Sequence, residues 1–510
     1  MFYTASHERV AQDPPPFSTE PSLVNSPSYN AHRASGPGGA VATAHPLATD
    51  AAVVVLDQGG SATDAAIAAQ AVICVVMPQA AGIGGDVLAL VHDGARVSAV
   101  NGTGRSAWAA GMQPLSTGGA SVTVPGLVDG WLTLHARWGR LPLPQVLTAA
   151  VGLAVHGVRV EQDLVGAVDQ QRARLRQGGA SDWPLMSLAE HDLWRQPQLA
   201  ELLAQVAEQG RDAFYAGPSA TAVVDAVHRT GGLLDPADLA EHSTPCPDPV
   251  TTPWGGGQAH VQPPMSQGVL LAMALQKVHH LHSLGVWVDD HVLVEVTQSA
   301  FAHRSSCVSG SELLREELPV DLERASGRRG PRAYLHTAGV ATVDATGQVV
   351  SSLVSVFDDF GSGVFVPELG IVLNNRAAGF TDGDNVAAPG RRPVHTLAPA
   401  LLTSPEGVLA IATPGADGQV QTLLQVLAAT SLTGASLSEA IGTLRWRSQD
   451  GELLVEAGHL AHHDLASRGH RVRTVEPGAD LFGAVVAAGT NPSPFAVADW
   501  RRRTNSRGVA

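Results

Sequence analysis

Between Ala65 and Val76 the chain reads AAIAAQAVICVV, and it is preceded by Ser61-Ala62-Thr63-Asp64, the pattern of a capped helix start. Together these predict a helix that is apolar around almost its whole circumference, which belongs inside a protein rather than on its surface. The helix runs into Gly82-Ile83-Gly84-Gly85 and then Asp86-VLALVH, a turn feeding a short apolar strand. A layered arrangement of helices and strands follows. The composition can fill such layers: 44% of the 510 residues are hydrophobic and only 15% charged. The length allows two or three average domains or one interlocked α/β unit.

The net charge of −15 repels polyphosphates, which argues against nucleic acid as a partner. Cys74, Cys246 and Cys307 are far apart and in no metal-type spacing, so neither a disulfide framework nor a zinc site is expected, and a reducing compartment fits. Residues 1–35 contain Pro14-Pro15-Pro16, serines and charges but no continuous apolar core, so they read as a loose tail without a signal peptide. No apolar run reaches the roughly 18 residues of a membrane span. The expectation is a soluble cytoplasmic protein with no membrane partner.

From Pro125 to Arg332 helical stretches such as LPQVLTAAVGLAVHG alternate with Gly/Pro turns, without internal repeats. Leu313 to Tyr334, LLREELPVDLERASGRRGPRAY, concentrates charge, Gly and Pro and reads as an exposed, mobile connector. Beyond it, Thr337-AGVATVD and Gln348-VVSSLVSVF read as two strands joined by a tight turn at Ala345-Thr346-Gly347. Apolar segments separated by Gly/Pro/Asn turns then continue to the C-terminus, giving a mixed α/β core.

Several phrases, in order, resemble the gamma-glutamyltransferase family from about Gly38 to Phe495: Val41-ATAHPLAT, Gly59-GSATDAAIA, Gly82-IGGD, Val124-PGLVDG, Phe214-YAG, Gly231-GLLDPADL, Pro263-PMSQG, Thr337-AGVATVD, Phe360-GSG, Gly370-IVLNN and Arg392-PVHTLAPA. The resemblance implies an N-terminal-nucleophile hydrolase with a four-layer αββα sandwich, an α+β arrangement of two stacked sheets between helices. It also implies self-cleavage between His336 and Thr337, giving a large portion, 36–336, and a small catalytic portion, 337–510, that remain partners. Thr337 would supply both a hydroxyl nucleophile and, once released, an α-amine whose ordinary pKa of about 7.7 to 8.0 suits it to take the hydroxyl proton. Read without the family, Thr337 is equally a β-branched strand residue.

By the same resemblance Ser355 supports the nucleophile, although a solvent-side strand serine is the plain alternative. Gly415 and Ala416, in Thr413-Pro-Gly-Ala-Asp-Gly418, match a Gly-Gly pair whose amides form an oxyanion hole. That role survives provided Ala416 does not need a positive φ; a simple turn would use the same residues. Asn375 and Arg376 lie in a loop at a strand end, where substrate contacts are commonly placed. The family arginine that holds the glutamate carboxylate appears as Thr103, with Arg105 displaced by two positions. The acidic group for the glutamate amine falls at Gly379, and the paired serines fall at His395 and Thr396. Ala338, Gly339 and Phe357 depart from the pattern as well. SVFDDFGSG, Asn375-Arg376 and Arg392-PVHTLAPA look closer to the oxamate amidohydrolase branch, which implies hydrolysis of an amide beside a carboxylate, through an acyl-enzyme. In that reading Arg376 anchors the carboxylate and His395 donates to it. The alternatives are a true gamma-glutamyltransferase or glutathione hydrolase acting on gamma-glutamyl compounds, and an uncleaved binding homologue.

His279, His280 and His282, and His459, His462 and His463, suggest metal binding only by residue type. They lack a matching carboxylate or cysteine framework, and no metal or other cofactor is expected. Gly82-Ile83-Gly84-Gly85 is not followed by a P-loop lysine, so close backbone packing explains it better than phosphate binding.

Overall fold

The computed structural model describes residues 29–111, 116–328, 330 and 337–510; His336 lies outside them. The predicted hairpin forms from the strands Ala338–Asp344 and Val349–Ser355, with Gly347 at φ 83° in the turn. It sits at the centre of a six-stranded antiparallel sheet whose order is Asn505–Val509, Gly39–Thr43, Ala338–Asp344, Val349–Ser355, Asp86–His92, Val97–Gly102. Period-two alternation gives the sheet two apolar faces. Val340, Val350 and Val354 pack against the helices Pro46–Asp57 and Ala62–Val76, while Ala341, Val343, Val349 and Leu353 face a second sheet. All 15 residues of Ala62–Val76 are buried, as an all-round apolar helix requires, and Ser61 and Asp64 form the predicted capping box.

The second sheet is seven-stranded and antiparallel, in the order His32–Ser35, Phe495–Ala498, Val486–Gly489, Gly407–Ala412, Ala400–Ser404, Gly257–Val261, Val250–Trp254. Its far side, with Val261, Ile411, Ala487 and Val497, carries the helices Gly268–Ser283, Asp290–Phe301 and Gly418–Thr433. Two sheets thus lie between two helical layers, the αββα sandwich. Strands from both sides of Thr337 contribute to both sheets, so the chain is one interlocked unit.

Two expectations change. Residues 29–35 are not a loose tail: His32–Ser35 pairs with Phe495–Ala498, and Tyr29 stacks on Trp500 at 4.0 Å while its N–H donates to Gly442 O. An edge strand needs only a partner some 460 residues away, which composition cannot reveal. The connector is exposed for much of its described length but tied down. Leu313 and Leu318 are buried, and the buried Glu295 carboxylate accepts from Ser326 N at 2.9 Å, Ser326 Oγ at 3.0 Å and Arg328 Nη1 at 3.2 Å.

Gly84 and Gly85 do allow close packing, since an added Cβ would lie 2.2 Å from Val372 O and 2.5 Å from Ser355 O respectively. No described helix is long and apolar enough to cross a membrane. Among the described residues no group of three or more His, Cys, Asp or Glu could hold a metal ion, and all three cysteines are free.

Candidate active site

The registers bring one end of the six-stranded sheet to a single row. Val354 pairs with Ala338 and Ser355 with Asp86, while Val87 pairs with Gly102. One step further sets Thr337 opposite Ser355 and Thr103 opposite Asp86. Cross-strand partners share a face, and by alternation with Leu353, Leu88 and Ala99 this is the face toward the other sheet. Thr103, Asp86, Ser355 and Thr337 therefore form a line across four strands where the two sheets end. Thr337 Oγ1 lies 3.5 Å from Ser355 Oγ, the outer limit of a hydrogen bond. Ser355 is 2% exposed, not solvent-side, and its Oγ accepts from Phe357 N at 2.9 Å. Thr337 also lines a cavity of about 410 Å³, with His45, Gln79, Glu161, Pro414 and Arg502 among its walls.

Asp86, which sequence reasoning took only as the start of a strand, is the hub of the row's far end. Its carboxylate is fully buried, accepts from Arg376 Nε at 2.9 Å and from Gly104 N at 3.4 Å, and lies 3.4 Å from His395 Nε2. A carboxylate opening an otherwise apolar strand is the signal that was available, because buried carboxylates are rare without a partner. Burial pushes the Asp86 carboxyl up, but contact with His395 and the Arg376 guanidinium outweighs it and holds the group below its ordinary range.

Arg376 is 0% exposed, with its guanidinium 4.6 Å over the Phe357 ring. Nε is occupied by Asp86, yet neither Nη1 nor Nη2 has an acceptor among the described residues, and Thr103 Oγ1 has no hydrogen-bond partner among them either. His395 Nδ1 accepts from Leu397 N at 3.1 Å, which leaves the proton of the neutral ring on Nε2, toward Asp86. Burial, then Arg376, push this imidazole down to about 4.

The other expected residues divide. Asn375 is buried, and its side chain is engaged within the loop: Nδ2 donates to Ser116 O and Asp358 Oδ2, and Oδ1 accepts from Asp358 N. Thr396 is buried, and its carbonyl accepts from Gln267 Nε2 at 2.5 Å. Arg105 lines a small space with Trp108, Asp238 and Glu241. Gln267 was not anticipated; it also donates to Ala416 O at 2.8 Å and so ties the 396 and 416 segments together.

Gly415 and Ala416 follow the strand Gly407–Ala412 with φ of 120° and 48°. The condition set by the sequence is too strict: Ala416 does adopt the left-handed conformation that glycine favours, which strains the residue but does not remove its N–H. That strain costs an alanine about 1–2 kcal/mol. Among the described residues neither amide donates to another group. Ala416→Gly is expected to keep or raise the thermal unfolding midpoint, where an unstrained Ala→Gly change lowers stability by about 0.5–1 kcal/mol. A clear fall in the midpoint would contradict this account.

Three histidines, His242, His395 and His470, are each pushed down to about 4, burial being the first cause in every case. The unfolded chain takes these protons near pH 6.5 and the folded chain refuses them, so stability is full above that pH and falls as pH drops toward 4. Asp86, whose carboxyl is also held below its ordinary range, loses its contribution only below about pH 3.9. Unfolding midpoints measured from pH 7 to 4.5 should therefore decline. His395→Asn should remove one histidine's share, on the order of 3 kcal/mol, and an unchanged slope in that variant would refute the assignment.

Residues 48–509 match the family model described as gamma-glutamyltranspeptidase. The chain is 31% identical to the oxamate amidohydrolase proenzyme of Klebsiella pneumoniae over 87% of its own length and 92% of that protein. It is 27% identical to the glutathione hydrolase proenzyme of Bacillus subtilis, over 80% of each chain. The crystal structure of cephalosporin acylase from Bacillus halodurans superposes with a TM-score of 0.84 at 26% identity, covering 98% of this chain and 100% of that one.

Proposed function

The chain belongs to the gamma-glutamyltranspeptidase family, an enzyme family of the N-terminal-nucleophile type, and from that premise we propose that it is a self-processing threonine amidohydrolase for amides of small carboxylic acids. The chain splits once, between His336 and Thr337, so that the residues up to His336 and residues 337–510 become separate portions. Thr337 Oγ1 then attacks the amide carbonyl, and its proton passes to the freed α-amine. Negative charge gathers on the carbonyl oxygen, facing the Gly415 and Ala416 amides. The C–N bond breaks as the α-ammonium returns a proton to the leaving nitrogen, and water hydrolyses the Thr337 ester by the same route. Ser355 orients the Thr337 hydroxyl.

The observation that carries this reading is Arg376. Both of its terminal nitrogens are buried with no acceptor among the described residues, in the cluster around Asp86. Asp86 is two strand spacings from Thr337, roughly 10 Å. A planar fork with two free N–H edges suits a carboxylate bound bidentately, and Thr103 Oγ1 adds a donor beside it, while His395 Nε2 faces Asp86 at 3.4 Å. Asn375 braces the loop that presents the arginine. The short separation favours an acyl group of few carbons, and oxamate, named for the Klebsiella relative, is the first compound to try.

A gamma-glutamyl substrate would also bring an ammonium group. The carboxylate in this cluster, Asp86, is already occupied by Arg376, and Gly379 stands at the position of the family's acidic contact. These features favour the simple acid over glutamate. Intact mass and N-terminal sequencing of the purified protein, followed by ammonia release from oxamate, test the proposal. A chain that stays whole on long incubation and releases no ammonia overturns it.

A further inference from the structure

Arg447, on the strand Trp446–Gln449, lies behind the loop Thr413–Gly418 and is 2% exposed. Its Nη1 donates to Leu481 O at 2.5 Å, whereas Nε and Nη2 have no acceptor among the described residues. Asp417, the carboxylate that acts on it most, is itself engaged by Arg304 Nε at 3.1 Å, and no described carboxylate forms an ion pair with Arg447. Burial pushes the guanidinium down to about 10, so it remains charged at neutral pH.

The guanidinium packs directly on the loop backbone. A Cβ added at Gly418 would lie 2.6 Å from Nη1, and one at Gly415 would lie 3.6 Å from it. Gly418 is thus explained by the arginine behind it, as Gly415 is by its φ of 120°. A buried cation without an ion-pair partner is costly to a fold, and such a group beside an active-site loop points to a task there.

We infer that Arg447 is a positioning residue for catalysis: it braces the Thr413–Gly418 loop and keeps a fixed positive charge behind the Gly415 and Ala416 amides. The inference rests on the oxyanion role proposed for those amides. Negative charge on the carbonyl oxygen exists only as Thr337 attacks, so a preset charge behind its donors favours the transition state over bound substrate. The same applies to self-cleavage, where the oxygen belongs to His336.

The test compares wild type with Arg447→Met, Arg447→Lys, Gly418→Ala and the Gly418→Ala/Arg447→Met double variant. It reads the self-cleavage rate of freshly made chain, and kcat and KM of the mature protein with oxamate. In Arg447→Met both the self-cleavage rate and kcat should fall by roughly 10- to 100-fold, less than for loss of a direct oxyanion donor, with KM within about twofold. Lysine, which keeps the charge but not the fork, should lose less. Gly418→Ala, by displacing the guanidinium, should reproduce the kcat loss, and the double variant should be no worse than either single. If Arg447→Met does not fold, Arg447→Lys and Gly418→Ala decide by the same readouts. Wild-type kcat and cleavage in these variants, or a raised KM with kcat unchanged, overturn the inference alone. A wild-type chain that neither splits nor releases ammonia overturns the parent reading and this one with it.

Discussion

Thr337→Ala is expected to yield a folded but uncleaved chain whose amidase activity is lower than wild type by about 10⁴-fold or more, the scale of losing a covalent nucleophile. The hydroxyl lies at the start of the strand Ala338–Asp344, 2% exposed, with Ser355 Oγ 3.5 Å away. Removing it should change stability by only about 1 kcal/mol, so circular dichroism and the unfolding midpoint separate loss of chemistry from loss of fold. In the proposed mechanism the same oxygen attacks the His336 carbonyl during processing and the substrate carbonyl afterwards, so two events should disappear together. Thr337→Ser should retain both at reduced rates. Fragments beginning at position 337 in the alanine variant would eliminate Thr337 as the agent of cleavage.

Arg376→Ala should raise KM for anionic amides by two to three orders of magnitude, in keeping with about 2–5 kcal/mol for truncating one partner of a buried charge pair. It should also lower stability by about 3–5 kcal/mol, because the Asp86 carboxylate is left buried without its cation. These effects are separable. Arg376→Lys keeps a positive charge near Asp86 but lacks the fork, so it should recover much of the stability while KM for oxamate stays raised roughly tenfold or more. An amide of the same size without a carboxylate should be indifferent to either change. Steady-state kinetics on the anionic and neutral pair, with unfolding midpoints, check both parts. An unchanged KM for the anionic amide would remove Arg376 from substrate binding.

Much of the architecture was legible because its signals are local. The apolar circumference of Ala62–Val76, its capping box, the hairpin turn at Gly347 and the alternation through Val349–Ser355 each depend on residues a few positions apart. What stayed hidden depends on distant partners. Asp86 looked like the first residue of a strand, and its meaning came from an arginine 290 positions later. Residues 29–35 looked like a tail until Phe495–Ala498 paired with His32–Ser35. Asn375 resembled a substrate contact, but Asp358 and Ser116 engage its amide.

By itself, then, the sequence determined which segments become strands and helices and which residue opens the central hairpin, because side-chain periodicity and turn chemistry act within one element. Only the tertiary structure decided which polar groups meet. Strand register aligned Thr103, Asp86, Ser355 and Thr337 in one row, and long-range packing set Arg376 and His395 on Asp86 and the strand Trp446–Gln449, with Arg447, behind Gly418. The physical reason is that the cost of burying a charge is set by its neighbours in space. Those neighbours come from strands and loops that no local pattern places side by side.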